Sequence, residues 1–318
     1  MPLAVPRFAS IMVPLDGSPL AERALPLGLD LAERARARLR LVLVHQSPPP
    51  PIDKAAARLA VKVELAVRRA EREYLRATQA RLGRTATRGR VRGITLSGPV
   101  GDALTRYVSE LGIDLVVMAT HGRGGFERAW LGSVADRLVR TLEIPVLLVR
   151  AGGDSAPKAA VPARPVLVPL DGSAKAEEAL GPAVALARLW DLEVQLVQVV
   201  RPAMLAGDPA LPLPSVYDEA LTSLGRSQAQ DYLDDMAEQV RSLGVRAVAN
   251  AVLGWSATET LLELAGAGRV GLIALATHGR GGLRRAALGS VADKLVRAAG
   301  VPVLVCRPRG RRARAGRA

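Results

Sequence analysis

Glycine-rich segments carry the residues with the clearest chemistry in this sequence. Gly122 and Arg123 open a Gly-Arg-Gly-Gly run, and after nine residues that follow Gly122 the chain reads Gly132-Ser133-Val134. Glycine can adopt positive φ, so such a run can expose its backbone N–H groups. A helix that begins near Gly132 would add its first amides and its dipole, both of which favour an anion. Because the Ser133 hydroxyl and the Arg123 guanidinium can also donate, the pattern indicates a phosphate site.

The same pattern occurs again further along the chain. VPLDGS stands at 13–18 and 168–173, ATHGRGG at 119–125 and 276–282, and LGSVAD at 131–136 and 288–293, with offsets of 155, 157 and 157 residues. Three blocks in the same order at nearly constant offset indicate a domain duplication. The second phosphate site is expected to use the matching residues Gly279, Arg280, Gly289, Ser290 and Val291.

Two aspartates follow apolar runs directly. A carboxylate at Asp16 or Asp171 can accept a hydrogen bond from a ribose hydroxyl, or hold Mg²⁺ that accompanies a nucleotide. An Asp-Gly-Ser run is also typical of a turn followed by a helix cap. The sequence leaves both interpretations open.

The three histidines are weaker candidates. His121 and His278 are expected either to contact a ligand through their backbone or only to end a strand. His45 has no histidine counterpart, since Gln198 is taken as the matching residue. Three histidines and one cysteine without clustered spacing do not predict a transition-metal site.

Alternating strand and helix patterns must position these residues. Apolar runs predict buried strands at 10–15, 39–44, 91–96, 114–119 and 145–149, and the second copy repeats them. The segments between them have helical periodicity: 20–35, 54–82, 100–111 and a helix from 132, with 217–243 as the long helix of the second copy. These features predict an α/β fold of two tandem, doubly wound parallel five-stranded sheets in the order 3-2-1-4-5. In that order, ligands bind where the first and fourth strands end, which is where the repeated blocks meet.

Composition is consistent with two globular domains. The 318 residues are 49% hydrophobic, and the repeats predict domains at 1–152 and 163–308, joined by a Gly-, Ala- and Pro-rich linker. No apolar run approaches the roughly 20 residues of a membrane span. A cytoplasmic protein is therefore predicted, in which the single cysteine, Cys306, is a buried thiol.

The chain has a strongly basic end. Its net charge is +14, and the segment 309–318 contains arginine but no acidic residue. Without apolar periodicity this segment is predicted to be a disordered tail. It can touch nucleic acid nonspecifically, but we interpret it mainly as a solvated basic end.

At these residues the sequence resembles the universal stress protein family in its tandem-domain form, from about residue 8 to residue 307. ATP-binding members of that family carry Gly, two residues, Gly, nine residues, then Gly with Ser or Thr. Both copies match from the second glycine onward, while Ala119 and Ala276 replace the first.

The resemblance implies an adenine nucleotide, most simply ATP, in each domain. The contacts that it implies in the first copy are Pro14, Leu15, Asp16, Gln46, Met118, Gly122, Gly132, Ser133 and Val134. Those in the second copy are Pro169, Leu170, Asp171, Val199, Leu275, Gly279, Gly289, Ser290 and Val291. Because the family usually has an apolar residue where Gln46 stands, the second site is expected to be the more typical one.

Three functions remain open at the level of sequence. The leading one is a nucleotide-binding protein with a regulatory or stress-response role. A slow ATPase or phosphotransferase is the second, although Asp16 or Asp171 with Mg²⁺ are the only candidates that the sequence offers for assisting phosphoryl transfer. The third is a scaffold with vestigial pockets, which the alanines at 119 and 276 make plausible.

The last strand of each copy is also expected to matter for assembly. The segments 145–149 and 302–306 are short, apolar edge strands, which are templates for pairing. We expect the two repeats to pair through these strands within one chain, and the same edges allow a homodimer.

Overall fold

The computed structural model describes residues 3–47, 54–83, 90–120, 131–150, 162–205, 216–277 and 288–307 of the chain. It divides into two compact units. One is Arg7–Val161, and the other combines Pro162–Ala318 with the short segment Met1–Pro6. The carbonyl of Ala4 lies against Gly181 of the second unit, at a point where an added Cβ would collide with it. The tail predicted at 309–318 lies outside the described residues.

The first unit is built on five parallel strands. They are β1 (Ser10–Leu15), β2 (Arg38–His45), β3 (Val91–Ser97), β4 (Leu115–Ala119) and β5 (Val146–Val149). Their order is β3-β2-β1-β4-β5, which confirms the predicted 3-2-1-4-5 arrangement. β4 and β5 are buried along their whole length, as expected for a parallel sheet covered on both faces.

Helices connect these strands. They are α1 (Pro19–Glu22), α2 (Leu25–Arg34), α3 (Lys54–Leu82), α4 (Val100–Leu111) and α5 (Ser133–Thr141). The single helix predicted over 20–35 was wrong, since the structure divides it into α1 and α2. Arg23 and Ala24 donate to the carbonyls three residues earlier, and Pro26 has no N–H with which to continue a ladder across this point.

The second unit repeats the architecture. Its sheet contains β6 (Val166–Pro169), β7 (Val194–Val200), β10 (Ala247–Leu253), β11 (Leu272–Ala276) and β12 (Val303–Cys306), in the order β10-β7-β6-β11-β12. Its helices are α6 (Ala174–Glu177), α7 (Leu180–Trp190), α8 (Glu219–Ser242), α9 (Ala257–Leu264) and α10 (Ser290–Ala298). A π-helical turn, Ala265–Arg269, extends α9. Two short strands that the sequence did not predict, β8 (Ala203–Leu205) and β9 (Val216–Asp218), pair antiparallel before α8.

A repeated hydrogen bond fixes how the long helices correspond. The Tyr74 hydroxyl on α3 lies 2.9 Å from Glu22, and the Tyr232 hydroxyl on α8 lies 3.1 Å from Glu177. Burial of the phenol, reinforced by Glu22, raises the pKa of Tyr74, which therefore stays a neutral donor. The two tyrosines thus align the helices residue by residue.

The core is aliphatic, as the low aromatic content predicts. Ile11, Leu39, Leu115 and Leu147 are fully buried in the first unit. Cys306 is buried at the end of β12, and burial raises the pKa of its thiol, which confirms the prediction of a buried, protonated cysteine. Among the residues that the structure describes, no helix combines the length and apolar character that a membrane crossing needs. The pairing of the two repeats through their last strands stays a prediction.

Candidate nucleotide site

The candidate site lies at the carboxyl ends of two neighbouring strands in each unit. β1 pairs with β2 on one side and with β4 on the other, so the direction of winding reverses between β1 and β4. The strands are parallel, so Asp16 after β1 and Thr120 after β4 leave the same edge of the sheet. β6 and β11 have the same relation in the second unit, with Asp171 and Thr277 in those places. The fold thus provides the crevice that the strand order predicted.

The aspartate that follows each first strand shapes a tight turn. The backbone N–H of Ser18 donates to Asp16 Oδ1 at 2.9 Å, and Gly17 between them has φ of 81°. Positive φ at this point suits glycine. Ser18 then caps α1 by accepting from the backbone N–H of Ala21 at 3.1 Å. The interpretation of Asp-Gly-Ser as a turn and helix cap is therefore confirmed, and the ligand contact of Asp16 stays a prediction.

The second turn has the same design. The backbone N–H of Ser173 donates to Asp171 Oδ1 at 3.0 Å, and its hydroxyl donates to the same oxygen at 2.6 Å. Gly172 has φ of 77°, and Ser173 accepts from Ala176 at 3.2 Å. In both turns the aspartate is held in place by its own loop, so a ligand would meet a preorganised carboxylate.

A helix begins directly above the end of each fourth strand. The N–H of Gly132 donates to the carbonyl of Thr120 at 2.7 Å, and the N–H of Gly289 donates to that of Thr277 at 2.7 Å. α5 starts at Ser133 and α10 at Ser290, and neither glycine cap has a side-chain hydrogen bond to the first turn. The predicted helix start at Gly132-Ser133 is confirmed. These helices consequently present amides without a side-chain cap at the carboxyl edge of the sheet, where anions bind favourably.

The remaining candidates differ in accessibility. Leu15, Met118, Ala119, Leu170 and Leu275 are buried in the sheet, so a ligand could reach them mainly through backbone atoms. The partly exposed candidates are Pro14, Asp16, Gly132, Val134, Pro169, Asp171, Val199, Ala276, Gly289 and Val291. Ser133 and Ser290 are exposed. His121, Gly122, Arg123, His278, Gly279 and Arg280 lie outside the described residues.

Strand register corrects one equivalence between the two sites. Val13 pairs with Leu41 and Val168 pairs with Leu196, so the first two strands of both units share an offset of 155 residues. Val44, rather than Gln46, therefore occupies the position of Val199. Both valines are partly exposed, whereas Gln46 lies beyond β2 and is exposed. The expectation that the second site is more typical loses its basis, because both sites have valine here.

The same register corrects the counterpart of His45. Val200, not Gln198, stands at its position in the second unit, and Gln198 corresponds to Leu43. His45 is 1% exposed at the end of β2, next to the candidate site. Its Nδ1 lies 2.8 Å from Glu71 and its Nε2 lies 2.7 Å from Glu64, both on α3. An imidazolium is the form that can donate to both carboxylates, so the group ties β2 to α3.

Further polar groups complete this cluster. Arg68 Nε donates to Glu64 at 2.8 Å, and the Ser47 hydroxyl donates to the same carboxylate at 2.9 Å. The Arg68 hydrogen bond, with help from Ser47 and His45, lowers the pKa of Glu64 to about 2. Sequence reasoning missed this cluster, because it considered His45 only as a histidine without a counterpart.

An acid titration tests this cluster. Because the pKa of Glu64 in the fold is lowered to about 2 from 4.5, its contribution to stability is present above pH 4.5 and is lost as the pH falls toward 2. Arg68→Ala removes the largest cause, so we expect the pKa of Glu64 to rise toward 4.5. Carboxyl carbon shifts in NMR would follow it. Arg69→Ala is the matched control, because Arg69 pairs with Glu73 instead, and a wild-type Glu64 that titrates near 4.5 would contradict the assignment.

The described residues contain no cluster of three or more His, Cys, Asp or Glu side chains that could hold a metal ion. Mg²⁺ at Asp16 or Asp171 stays a prediction.

Comparison with known proteins agrees with the fold. The model of the universal stress protein family matches residues 7–150 and 162–307. A universal stress protein of Mycobacterium tuberculosis is 31% identical over 196 residues, which are 61% of this chain and 62% of that protein. The chain thus spans less than two thirds of the length of that relative. A Methanocaldococcus jannaschii universal stress protein is 31% identical over 140 residues, which are 44% of this chain and 79% of that protein.

Solved structures show the same fold over 95% of the chain. A putative universal stress protein from Pseudomonas aeruginosa has a TM-score of 0.62 at 16% identity, covering 95% of this chain and 94% of that one. An Archaeoglobus fulgidus universal stress protein has a TM-score of 0.62 at 17% identity, covering 95% and 99%. The doubly wound domains therefore define a tandem α/β protein. With both halves matched by the family model, the chain belongs to the universal stress protein family.

Proposed function

We propose that each domain binds one adenine nucleotide, with ATP as the first choice, and that the chain acts as a regulatory or stress-response protein. The observation that carries the proposal is the duplicated phosphate side: Gly132 and Gly289 make the same 2.7 Å hydrogen bond to the end of the fourth strand. Each is followed by a helix that begins at serine. A geometry kept in both copies is expected when both copies hold the same kind of ligand.

The residues suit the parts of a nucleotide differently. The first amides of α5 and α10, with the Ser133 and Ser290 hydroxyls, would receive phosphate oxygens. Asp16 and Asp171, held by their turns, would accept from the adenosine part, and the neighbouring backbone of Leu15 or Leu170 would line the base. Mg²⁺, if present, would neutralise phosphate charge next to these carboxylates.

Binding has better support than turnover. Asp16 and Asp171 already accept hydrogen bonds within their own turns, which favours a positioning role over that of a general base. Phosphoryl transfer requires a positioned nucleophile as well as charge neutralisation. A slow ATPase is the alternative that a turnover assay would reveal.

Titration calorimetry of the full chain with ATP tests the proposal. We expect about two ATP per chain. GTP is the matched control, because it differs from ATP only in the hydrogen-bonding edge of its base, and we expect this different edge to weaken its binding. Nucleotide released from freshly purified, denatured protein should be identified by chromatography, since prefilled sites would hide binding. The proposal is contradicted if the purified protein contains no nucleotide, gives no binding heat and shows no shift in melting temperature at saturating ATP. A scaffold with vestigial pockets would then be the remaining interpretation.

A further inference from the structure

The long helix of the first domain extends past the strand that precedes it. α3 has 29 residues and β2 has eight, and His45, the last residue of β2, contacts Glu64 of α3. Because α3 runs back between the parallel strands β2 and β3, the helical residues before Glu64 lie beyond the carboxyl end of β2. At 1.5 Å per residue they extend about 15 Å past that end. We name this part of the helix, residues 54–63, the α3 extension.

Large apolar side chains on the α3 extension and just after it are exposed. Leu59 is 65% exposed and Leu65 is 61% exposed, and Val61, Val63 and Val67 are exposed as well. Residues four apart share one side of a helix. Leu59, Val63 and Val67 therefore form one apolar row, while Val61 and Leu65 form a second row on another side. Exposed apolar residues gathered in this way are typical of a binding surface.

The charges of the α3 extension are all positive. It contains Lys54, Arg58 and Lys62 and no acidic residue, and the first acid of α3, Glu64, is turned toward His45. Arg58 and Lys62 are exposed and four residues apart. At about 100° per residue they lie between the two apolar rows, on the side of the helix away from the sheet. A row of cations thus has an apolar row on each side of it.

The equivalent part of the second domain has a different character. The alignment of the two tyrosines matches residues 58–63 with 216–221, which read Val-Tyr-Asp-Glu-Ala-Leu. Leu221 and Leu224 are exposed there too. However, this segment contains Asp218 and Glu219 and no cation. The shared fold consequently does not require the cations of the α3 extension, so they call for another explanation.

We propose that the α3 extension binds the surface of an anionic lipid membrane. Arg58 and Lys62 meet the lipid phosphates, and the apolar rows that begin at Leu59 and Val61 enter the boundary between headgroups and acyl chains. The helix touches the membrane surface and does not cross the bilayer. Charge brings the chain to the membrane, and burial of the apolar side chains holds it there.

A lipid surface fits these residues better than a nucleic acid or a groove on another protein. Nucleic acid phosphates bind cations, but they gain nothing from exposed leucine and valine. A protein groove receives one apolar face of a helix. Here an apolar row lies on each side of the cations, and a fluid headgroup layer can receive both rows at once. The inference uses no residue of the candidate nucleotide site, so it goes beyond the proposed function.

Co-sedimentation of the full chain with lipid vesicles at low salt tests the proposal. We expect binding to vesicles of mixed phosphatidylglycerol and phosphatidylcholine, and binding at least roughly tenfold weaker to phosphatidylcholine alone. Each cation near an anionic surface contributes about fivefold in affinity, so Arg58→Gln with Lys62→Gln should weaken binding roughly 25-fold. Leu59→Ser with Val63→Ser should weaken it about tenfold or more, because these apolar side chains no longer leave water.

Matched controls remove the same kinds of side chain elsewhere. Leu221→Ser with Leu224→Ser removes exposed leucines from α8, and Arg92→Gln with Arg106→Gln removes exposed cations from β3 and α4. Both controls should bind anionic vesicles within about twofold of the wild-type chain, since they leave the α3 extension intact. Circular dichroism would establish that each variant is folded.

Three results would overturn the proposal. One is a wild-type chain that does not bind anionic vesicles at low salt. Another is binding that Leu59→Ser with Val63→Ser leaves unchanged, because attraction of charge alone, as for a nucleic acid or through the basic segment 309–318, would then account for it. The third is an equal loss of binding in either control, since the contact would then not depend on the α3 extension.

Discussion

Gly132→Val is expected to remove ATP from the first domain and leave the second domain filled, so that calorimetry counts about one ATP per chain in place of two. Gly289→Val should do the reverse, and the double variant should bind none. A valine side chain at the helix cap would occupy the space in which a phosphate meets the first amides of α5 or α10. Losing two charge-assisted hydrogen bonds costs about 3 kcal/mol or more, which is roughly 100-fold in affinity.

Folding should survive these substitutions. Gly132 has φ of −61° and ψ of 149°, and Gly289 has φ of −59° and ψ of 152°, all in the extended region that valine adopts readily. Both residues are partly exposed, so the added methyl groups can extend toward solvent. The loss of ATP would thus report on the site and not on the stability of the domain.

Gly300→Val is the matched control. An added Cβ at Gly300 would meet no atom within 4 Å, so it tests the effect of a valine outside the candidate site. It should keep both sites. If Gly132→Val and Gly289→Val leave affinity intact, the phosphate side has been placed wrongly, even though both helices begin where the sequence predicts.

The parts of the fold that the sequence predicts are those set by local pattern. Buried parallel strands such as β4 are apolar throughout, and right-handed crossovers leave few orders for five of them, so 3-2-1-4-5 could be predicted. The glycine spacing likewise located the start of α5. These features depend on neighbouring residues and on general rules of chain geometry.

The errors arise where distant pairing decides the structure. Gln46 was matched to Val199 by comparing the two copies as sequences alone. The hydrogen-bonded register of the strands instead fixes the offset between the copies and matches Val44 to Val199. β8 and β9 are three residues each, too short for a visible pattern, and they are stable only as a pair. The break between α1 and α2 had a local signal in Pro26, which the prediction overlooked.

The cluster around His45 was missed for the same reason. Its partners stand 19 and 26 residues further along the chain, on a different element. One signal was present, because Glu64, Arg68 and Glu71 are four and three residues apart and so share one face of α3. A pairing between such a face and a histidine at the end of a buried strand could be tested. The sequence alone does not show that the helix and the strand lie side by side.

His45→Val is expected to destabilise the first domain, by about 1–3 kcal/mol, because it leaves Glu64 and Glu71 turned toward a buried position without the donor between them. The second domain shows how the same place is filled without charge. Val200 stands at the position of His45, and the tyrosine alignment puts Thr222 and Ala229 at the positions of Glu64 and Glu71. Thr222 is 3% exposed and Ala229 is 5% exposed, so the second domain buries neutral residues at both positions.

Grafting the second version into the first domain should therefore reverse much of the loss. In His45→Val with Glu64→Thr and Glu71→Ala neither carboxylate is left facing the buried position, and Arg68, whose side chain is 35% exposed, can turn to solvent when Glu64 is removed. Replacing a buried ionic group by neutral residues is often close to neutral in the free energy of unfolding. Amide hydrogen exchange read by mass spectrometry is the suitable measurement, since it reports β2 and α3 separately from β7 and α8 in the intact chain. Wild-type exchange in β7 serves as the internal control. If the triple variant is less stable than His45→Val alone, the hydrogen bonds that Glu64 accepts from Arg68 and Ser47 stabilise the domain more than the contact to His45 does, and the role assigned to His45 is wrong.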